Sequence, residues 1–240
     1  SGWVGETDAR PATGTPTLGQ ISAFMGEVYA NPQATQASLD DIFFNAEGWL
    51  GDEVSREFSE KEGSAFTSGN GVNKPKGYLA YELTTEVDKV RAFGKLQKLI
   101  SGVAGGLTSD NLIDLIHSLK AGYRKNALFM MSNLTVAYVR KLKDERGDYI
   151  WQPGLTLGQP STLLSYGVTE NEDMPDRAAD ANAVSFGDFK RGYTIVDRIG
   201  TRVLRDPYTN KPNVGFYTTK RVGGMLVDSQ AIKVLTLSAA

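Results

Sequence analysis

The sequence lacks the residues on which much protein chemistry depends. It has no cysteine and a single histidine, His117, among 240 residues. Disulfides, thiolate nucleophiles and zinc–thiolate sites are therefore excluded, as is a metal site built from several histidines. A Ser-His-Asp triad would have to use His117, but no nucleophile motif such as G-x-S-x-G accompanies it. We interpret His117 as a packed or surface residue of a predicted helix.

Long apolar runs and a strong net charge are also missing. No stretch of about 18 apolar residues occurs, so we expect no transmembrane helix, and no signal peptide is visible. Lysine and arginine together number 26 against 28 for aspartate and glutamate, giving a net charge of −2. A dedicated nucleic-acid binder would usually be basic. The 40% hydrophobic and 22% charged residues are typical of a folded globular protein.

A stretch rich in glycine and lysine, residues 68–77, raises the question of a phosphate site. A Walker loop needs G-x-x-x-x-G-K-[ST] between a strand and a helix. Here Lys74 precedes Pro75, and the stretch follows a predicted helix, whose C-terminal end disfavours anions. We therefore interpret it as a structural turn in which Gly69 takes the left-handed position that caps a helix.

Clusters of charge give no catalytic or metal motif either. The acidic loop around residues 170–176 could hold calcium, but it lacks the EF-hand pattern, and a solvated loop is the simpler interpretation. Basic residues gather between positions 191 and 221, where we favour pairing within or between subunits over nucleic-acid binding. No spacing singles out two carboxylates for acid–base catalysis. These absences favour a structural or binding role over an enzyme.

Hydrophobic periodicity predicts one long helix over residues 38–66. Apolar residues recur in steps of three or four at Phe43, Ala46, Leu50, Val54 and Phe58. The helix contains three glycines, each unfavourable by about 1 kcal/mol relative to alanine, so tertiary or intersubunit packing must hold it. The other predicted elements are strands over 78–83, 127–131, 183–189, 193–197, 203–204, 214–217 and 231–237, helices from residue 108 or 109 and over 133–145, a loose join over 99–107, and a loop over 155–180.

Several stretches follow one another in a characteristic order. They are "GWVGETDARPATGTP" (2–16), "EGSAFTSGNGVNKPKGYL" (62–79), "YRKNALFMMSN" (123–133), "RKLKDERGDYIWQP" (140–153), "FGDFKRGYTIVDRIGTRVLRDPYTNKP" (186–212) and "FYTTKRVGGMLVDSQAIKVL" (216–235). In this order and density the sequence resembles the tailed-bacteriophage major capsid proteins of the Hong Kong 97 type. The stretches span nearly the whole chain.

The resemblance implies an α+β fold with a peripheral and an axial domain. The peripheral domain would take residues 1–107, with the "spine" helix over 38–66 and a long antiparallel sheet. The axial α/β domain would take residues 108–202. Residues 203–240 would return to the peripheral sheet as strands, the last of them rejoining the axial domain.

The resemblance also implies a function. A phage or prophage major capsid protein self-assembles into the hexamers and pentamers of an icosahedral shell that encloses double-stranded DNA. It needs no cofactor or metal and is not an enzyme. Further candidate partners are scaffold, prohead protease and portal proteins and non-specifically bound DNA, without a membrane. Assembly is expected in the host cytoplasm and the product in the virion. The candidate intersubunit contacts are Arg56, Glu60, Arg198 and Arg205.

The sequence departs from the family at its N-terminal end, and two alternative functions are open. Family members carry an N-terminal arm and an extended loop before the Gly-Trp-Val-Gly stretch, so we expect this chain to be a proteolysed or trimmed product. An encapsulin-type nanocompartment shell is the alternative with the same fold, although residues 68–77 and 186–193 favour a phage protein. A hydrolase using paired carboxylates would need a cleft with strongly shifted pKa values.

Overall fold

Two β-sheets and one long helix organise the chain. The computed structural model describes residue 9 and residues 22–41, 46–143, 146, 147, 149, 151 and 162–239. In chain order its elements are β1 (Phe24–Ala30), β2 (Gln33–Thr35), α1 (Gln36–Asp41), α2 (Ala46–Ser68), a 3-10 turn (Tyr78–Ala80), β3 (Leu83–Thr84), β4 (Leu96–Ala104), α3 (Ser109–Ser118), α4 (Ala121–Arg124), β5 (Leu128–Met131), α5 (Asn133–Arg140), β6 (Thr162–Leu163), β7 (Tyr166–Glu170), β8 (Val184–Gly187), α6 (Phe189–Gly192), β9 (Tyr193–Asp206), β10 (Asn213–Leu226) and β11 (Ile232–Ser238).

β10 is the central strand of a four-stranded antiparallel sheet. It pairs with β9 along one side and with β1 and β2 along the other. β9 and β10 are 14 residues long each, which gives a ribbon of about 45 Å at 3.3 Å per residue. The register shifts around Arg221, so the ribbon carries an irregularity there, of the kind that bends a strand and increases its twist.

Helix α2 packs along one face of this sheet. Val54, Phe58 and Ala65 recur at helical spacing and are buried, as the sequence periodicity predicts. The Lys220 ammonium of β10 lies 2.7 Å from the Glu62 carboxylate of the helix, and both side chains are largely buried. The predicted helix over 38–66 appears as α1 and α2, and residues 42–45, which include Phe43, lie outside the described residues.

Gly69 ends α2 for a different reason from the one predicted. It is absent from the positive-φ residues of the loop, which are Gly71 (φ 77°) and Asn73 (φ 58°). A Cβ on Gly69 would lie 2.3 Å from the carbonyl oxygen of Pro75 and 2.4 Å from that of Ala65. Glycine is needed because the returning loop passes against the helix end, not because of the backbone angle. The stretch is a structural turn.

The seven-stranded sheet mixes parallel and antiparallel pairs. Its strand order is β3-β4-β11-β8-β5-β7-β6. The pairs β3–β4, β4–β11 and β5–β7 are parallel. Helices α3 and α5 pack their apolar residues into the same core as the central strands, and the fully buried members of that core include Leu115, Leu119, Phe129, Met131, Phe186, Leu235 and Leu237.

Helix α3 begins where the sequence predicts. The Thr108 hydroxyl accepts a hydrogen bond from the Asn111 backbone N–H, and the Asn111 side chain accepts one from the Thr108 N–H at 2.9 Å. This reciprocal arrangement is a capping box. His117 lies in the last turn of the helix and is exposed, in agreement with its interpretation as a surface residue.

Several predicted elements are wrong. Residues 78–83 are not a strand: they form the 3-10 turn and the start of the two-residue strand β3. Residues 99–107 are not a loose join, because β4 runs from Leu96 to Ala104 between β3 and β11. The predicted loop over 155–180 contains β6 and β7, with residues 155–161 outside the described part. The helix predicted over 133–145 ends at Arg140.

Strand pairing also crosses the predicted domain boundaries. β3 and β4 precede residue 107, and β11 follows residue 203, yet all three belong to the same seven-stranded sheet as β5 to β8 of the 108–202 segment. β9 starts at Tyr193, inside the segment predicted to be axial, but it belongs to the four-stranded sheet. Sheet membership therefore does not follow the division into 1–107, 108–202 and 203–240, and that division stays a prediction.

Two glycine-to-alanine substitutions should change the free energy of unfolding in opposite directions. Gly69→Ala forces a methyl group into the backbone of Pro75 and Ala65 and should destabilise the protein by more than about 1 kcal/mol. Gly51→Ala is the matched control, since nothing lies within 4 Å of its Cβ, and it should stabilise α2 by about 0.5–1 kcal/mol. Chemical denaturation followed by circular dichroism measures both. Effects of the same sign would contradict this account.

Candidate assembly surfaces

Most of the 14-residue strand β9 is exposed. None of its residues is buried, and among the described strands it pairs with β10 alone. Its apolar side chains Ile195, Val203 and Leu204 are 54%, 60% and 62% exposed. A long apolar edge strand with unpaired backbone groups is a template for pairing with another chain. β9 is therefore a candidate interface.

The solvent-facing side of α2 is the second candidate surface. It carries an excess of exposed acids, with Arg56 paired to Glu53 and Lys61 lying 3.4 Å from Glu57. Exposed ion pairs of this kind contribute little stability, about 0–1 kcal/mol. Their side chains are thus available for contacts with a neighbour, and the exposed acids of this side are Asp52, Glu53, Glu57 and Glu60.

The structure places the four predicted contact residues on these two surfaces. Arg56 and Glu60 are exposed on α2, one turn apart, and Arg198 and Arg205 are exposed on β9. The Arg205 guanidinium lies 3.4 Å from the Gln36 amide oxygen. It also lines a groove of about 410 Å³ between α2 and the sheet, together with Gly48, Gly51, Val54 and Val203.

A buried network of charges links β4 and β11 of the seven-stranded sheet to the connection between β3 and β4. Lys233 of β11 is fully buried, forms an ion pair with Asp88 and donates a hydrogen bond to the Gln97 amide oxygen at 2.7 Å. Arg91 is also buried, lies 2.7 Å from Asp88, and donates to the Ser229 carbonyl oxygen at 3.2 Å. These contacts fix the connection between β3 and β4 onto the sheet. Sequence reasoning missed this network.

Burial and ion pairing act on Asp88 in opposite directions. Burial raises the pKa of the carboxyl, but the hydrogen bonds from Lys233 and Arg91 outweigh it and hold the pKa below its ordinary value of 3.8. Burial lowers the pKa of Lys233. Because the folded-state pKa of Asp88 is depressed, its contribution to stability is present above about pH 4 and is lost as the pH falls through the folded value.

Among the described residues, the other charged candidates form no metal-binding cluster. The described residues contain no group of three His, Cys, Asp or Glu side chains able to hold a metal ion. In the acidic loop, the Asp173 carboxylate lies against α2, 2.8 Å from where a Cβ on Gly63 would be. Burial, helped by neighbouring Glu172, raises the pKa of Asp173. Among the helices of the described part, none has the length and apolar character to cross a membrane.

These features define a class of protein that works through contacts with other protein surfaces. The chain belongs to the phage capsid family, whose model matches residues 1–237. It is a major capsid protein, a structural component of the virion shell whose copies associate into the capsomers of an icosahedral shell. The family, the Hong Kong 97-type α+β fold and this function are thereby confirmed. No curated protein matches the sequence.

Solved structures agree with this assignment. A chain of the capsid of the empty GTA particle is 44% identical with a TM-score of 0.90, and the match covers 100% of this chain and 81% of that one. A chain of Microbacterium phage Oxtober96 is 16% identical with a TM-score of 0.64, covering 99% and 82%. The SrpI encapsulin of Synechococcus elongatus PCC 7942 is 13% identical with a TM-score of 0.62, covering 90% and 75%. The last two share the fold, so the encapsulin alternative has only a distant neighbour in its favour.

Replacing the buried Asp88 carboxylate should destabilise the protein, and the size of the effect should depend on pH. At pH 7, Asp88→Asn should lower the free energy of unfolding by about 3–5 kcal/mol, because Lys233 and Arg91 stay buried without their counter-ion. The difference from the wild type should shrink below about pH 4, because the Asp88 carboxyl of the unfolded chain takes up a proton there and the folded one follows only at its lower pKa. Denaturation curves at pH 7 and pH 3 measure both effects.

The control is an ion pair at the surface. Glu82 lies 2.6 Å from Lys95, with 68% and 35% of the side chains exposed. Glu82→Gln should cost less than about 1 kcal/mol. Equal losses for the two variants at pH 7 would show that burial does not give the network its importance.

Proposed function

We propose that this capsid protein forms hexamers and pentamers through contacts along β9 and the solvent-facing side of α2. The observation that carries the proposal is the state of β9, which has no buried residue and an outer edge unpaired by any described strand. Left open, such an edge favours uncontrolled aggregation. In a closed shell, every copy has neighbours that can cover it.

Charge supports the same surfaces. The exposed side of α2 is acidic, whereas the exposed cationic residues of β9 are Arg198, Arg202 and Arg205. Opposite charges on two different surfaces of one chain complement each other when two copies meet. Such complementarity sets orientation and the rate of encounter more than affinity. Each contact is weak, but an icosahedral shell repeats it around closed symmetric rings. We assign Arg56, Glu60, Arg198 and Arg205 to these contacts.

The proposed role involves no catalytic turnover. Support comes from membership of the phage capsid family and from the likeness to the capsid of the GTA particle. Membership of the phage capsid family is the ground for the remaining partners: packaged double-stranded DNA, scaffold, prohead protease and portal proteins. Contact with DNA would be non-specific. Assembly would take place in the host cytoplasm.

Charge reversal on either surface should impair assembly without unfolding the subunit. In the full-length gene product, Arg198→Glu and Glu60→Arg should each lower the assembled fraction at least about tenfold, since a like-charge contact is repeated in every subunit. Each should change the free energy of unfolding by less than about 0.5 kcal/mol. Negative-stain electron microscopy and analytical ultracentrifugation measure assembly.

Lys125→Glu is the matched control, an exposed charge outside both surfaces, and it should assemble like the wild type. Normal assembly by both test variants would remove these residues from the interface but leave the capsid role intact. A wild-type chain that stays monomeric under all assembly conditions would overturn the proposed assembly itself.

A further inference from the structure

Three exposed apolar side chains gather on the connection between β3 and β4. Val87, Val90 and Phe93 are 55%, 73% and 72% exposed. The Val90 N–H donates to the Val87 carbonyl oxygen at 3.0 Å, so a tight turn holds these two residues together. Isolated exposed apolar residues are ordinary, whereas three within seven residues of one connection form a candidate interaction site. We call these three residues the knuckle.

The knuckle is held in place from beneath. Between its members lie Asp88 and Arg91, whose side chains enter the buried network with Lys233. A mobile loop has few buried contacts, whereas this one is tied to the sheet by charged hydrogen bonds. Buried ion pairs seldom stabilise more than apolar packing of the same volume would. We therefore interpret the buried network as the set of contacts that keeps the knuckle in one position.

A groove of about 340 Å³ lies beside α5. Leu134 at its rim is 65% exposed. Its wall is fixed, because the Arg177 guanidinium lies 4.4 Å from the centre of the Tyr138 ring and donates to the Gly105 carbonyl oxygen at 3.0 Å. The groove is lined by Leu134, Ala137, Tyr138, Lys141, Asp176 and Arg177, and we call it the α5 groove.

The knuckle and the α5 groove lie at opposite ends of β4. The knuckle ends three residues before Leu96, the first residue of the strand, and the groove wall is bonded to Gly105, just after its last residue. β4 is nine residues long, which spans about 30 Å. The two surfaces therefore cannot meet within one chain. They can meet between two copies.

The charges around the two surfaces are complementary. Glu86 and Lys89 are exposed beside the knuckle, and Lys141 and Asp176 are exposed at the α5 groove. With Arg177, the α5 groove offers two bases and one acid, whereas the knuckle offers one acid and one base. Each charge beside the knuckle thus has an opposite charge at the groove, the pattern of a specific interface with a polar rim.

We infer that the knuckle of one copy of this chain docks into the α5 groove of the next copy. The contact joins two different surfaces, so it is heterologous, and such contacts propagate head to tail and close into rings when the rotation allows. The inference rests on the proposed capsomers and names one of the contacts that holds each ring together.

Cysteine crosslinking tests this contact directly, because the chain has no cysteine of its own. In the full-length gene product, Phe93→Cys combined with Leu134→Cys should give a ladder of disulfide-linked oligomers on non-reducing gels after oxidation of assembled capsomers. Either single variant should give dimers at most. Phe93→Cys with Val72→Cys is the matched control, since Val72 is 65% exposed but lies outside the groove, and it should give no ladder.

A second variant keeps the test independent of crosslinking. Phe93→Asp should reduce capsomer formation at least tenfold, while its unfolding temperature stays close to that of the wild type because the side chain is exposed. A ladder together with this loss supports the contact. Wild-type shells that form without a ladder in the double variant overturn the knuckle contact and leave the capsid assembly standing. Failure of the wild type itself to assemble overturns both.

Discussion

The pairing of β10 with β9 is the interaction on which the assembly surfaces depend. β9 has no buried face, so hydrophobic burial contributes little beyond Tyr193, its first residue, which packs against the core. Its order comes from backbone hydrogen bonds to β10 along 14 residues. β10 is fixed in turn by β1 on its other side and by α2 across its face, where the Lys220–Glu62 ion pair and the buried Phe58 hold the helix down. The exposed strand β9 is thus held in place by β10, which is itself paired on its other side and packed against α2.

The two sheets use charge in different ways. Apart from the largely buried Lys220–Glu62 pair, the ion pairs of the four-stranded sheet and α2 are exposed and weak, so their side chains can exchange partners when a neighbour arrives. On the seven-stranded sheet, Asp88, Arg91 and Lys233 are buried and fixed. Removing one member there leaves uncompensated charge in the core. The first arrangement suits reversible assembly, and the second suits a rigid frame that presents a surface in one position.

Parts of the fold could be predicted because their signals are local. The predicted helix start at residue 108 or 109, the apolar spacing of α2 and the apolar run at residues 127–131 each correspond to an element that the structure contains. β9 was predicted as two short strands, since a strand exposed on both faces shows no apolar–polar alternation. The glycine-rich sequence of β4 hides a strand whose pairing with β11 is set by residues more than 130 positions away.

The assembly surfaces could be predicted from the sequence only in part. Arg56, Glu60, Arg198 and Arg205 could be chosen as exposed charges, and the structure places them on two surfaces, but their contacts remain a proposal. The buried network was missed because Asp88 and Lys233 are 145 residues apart. A signal did exist, since Lys233 interrupts the apolar run of Ile232, Val234 and Leu235, which are all fully buried.

The position of β11 in the seven-stranded sheet has a consequence for the order of events during synthesis. β11 lies between β4 and β8, yet it follows every other described strand of that sheet along the chain. Domains emerge from the ribosome N-terminal end first, so β4 must wait for its neighbour until residues 232–238 have been made. The same segment delivers Lys233 to Asp88. A subunit translated only through β10 therefore lacks both the strand that joins β4 to β8 and the ion pair that holds the knuckle in place.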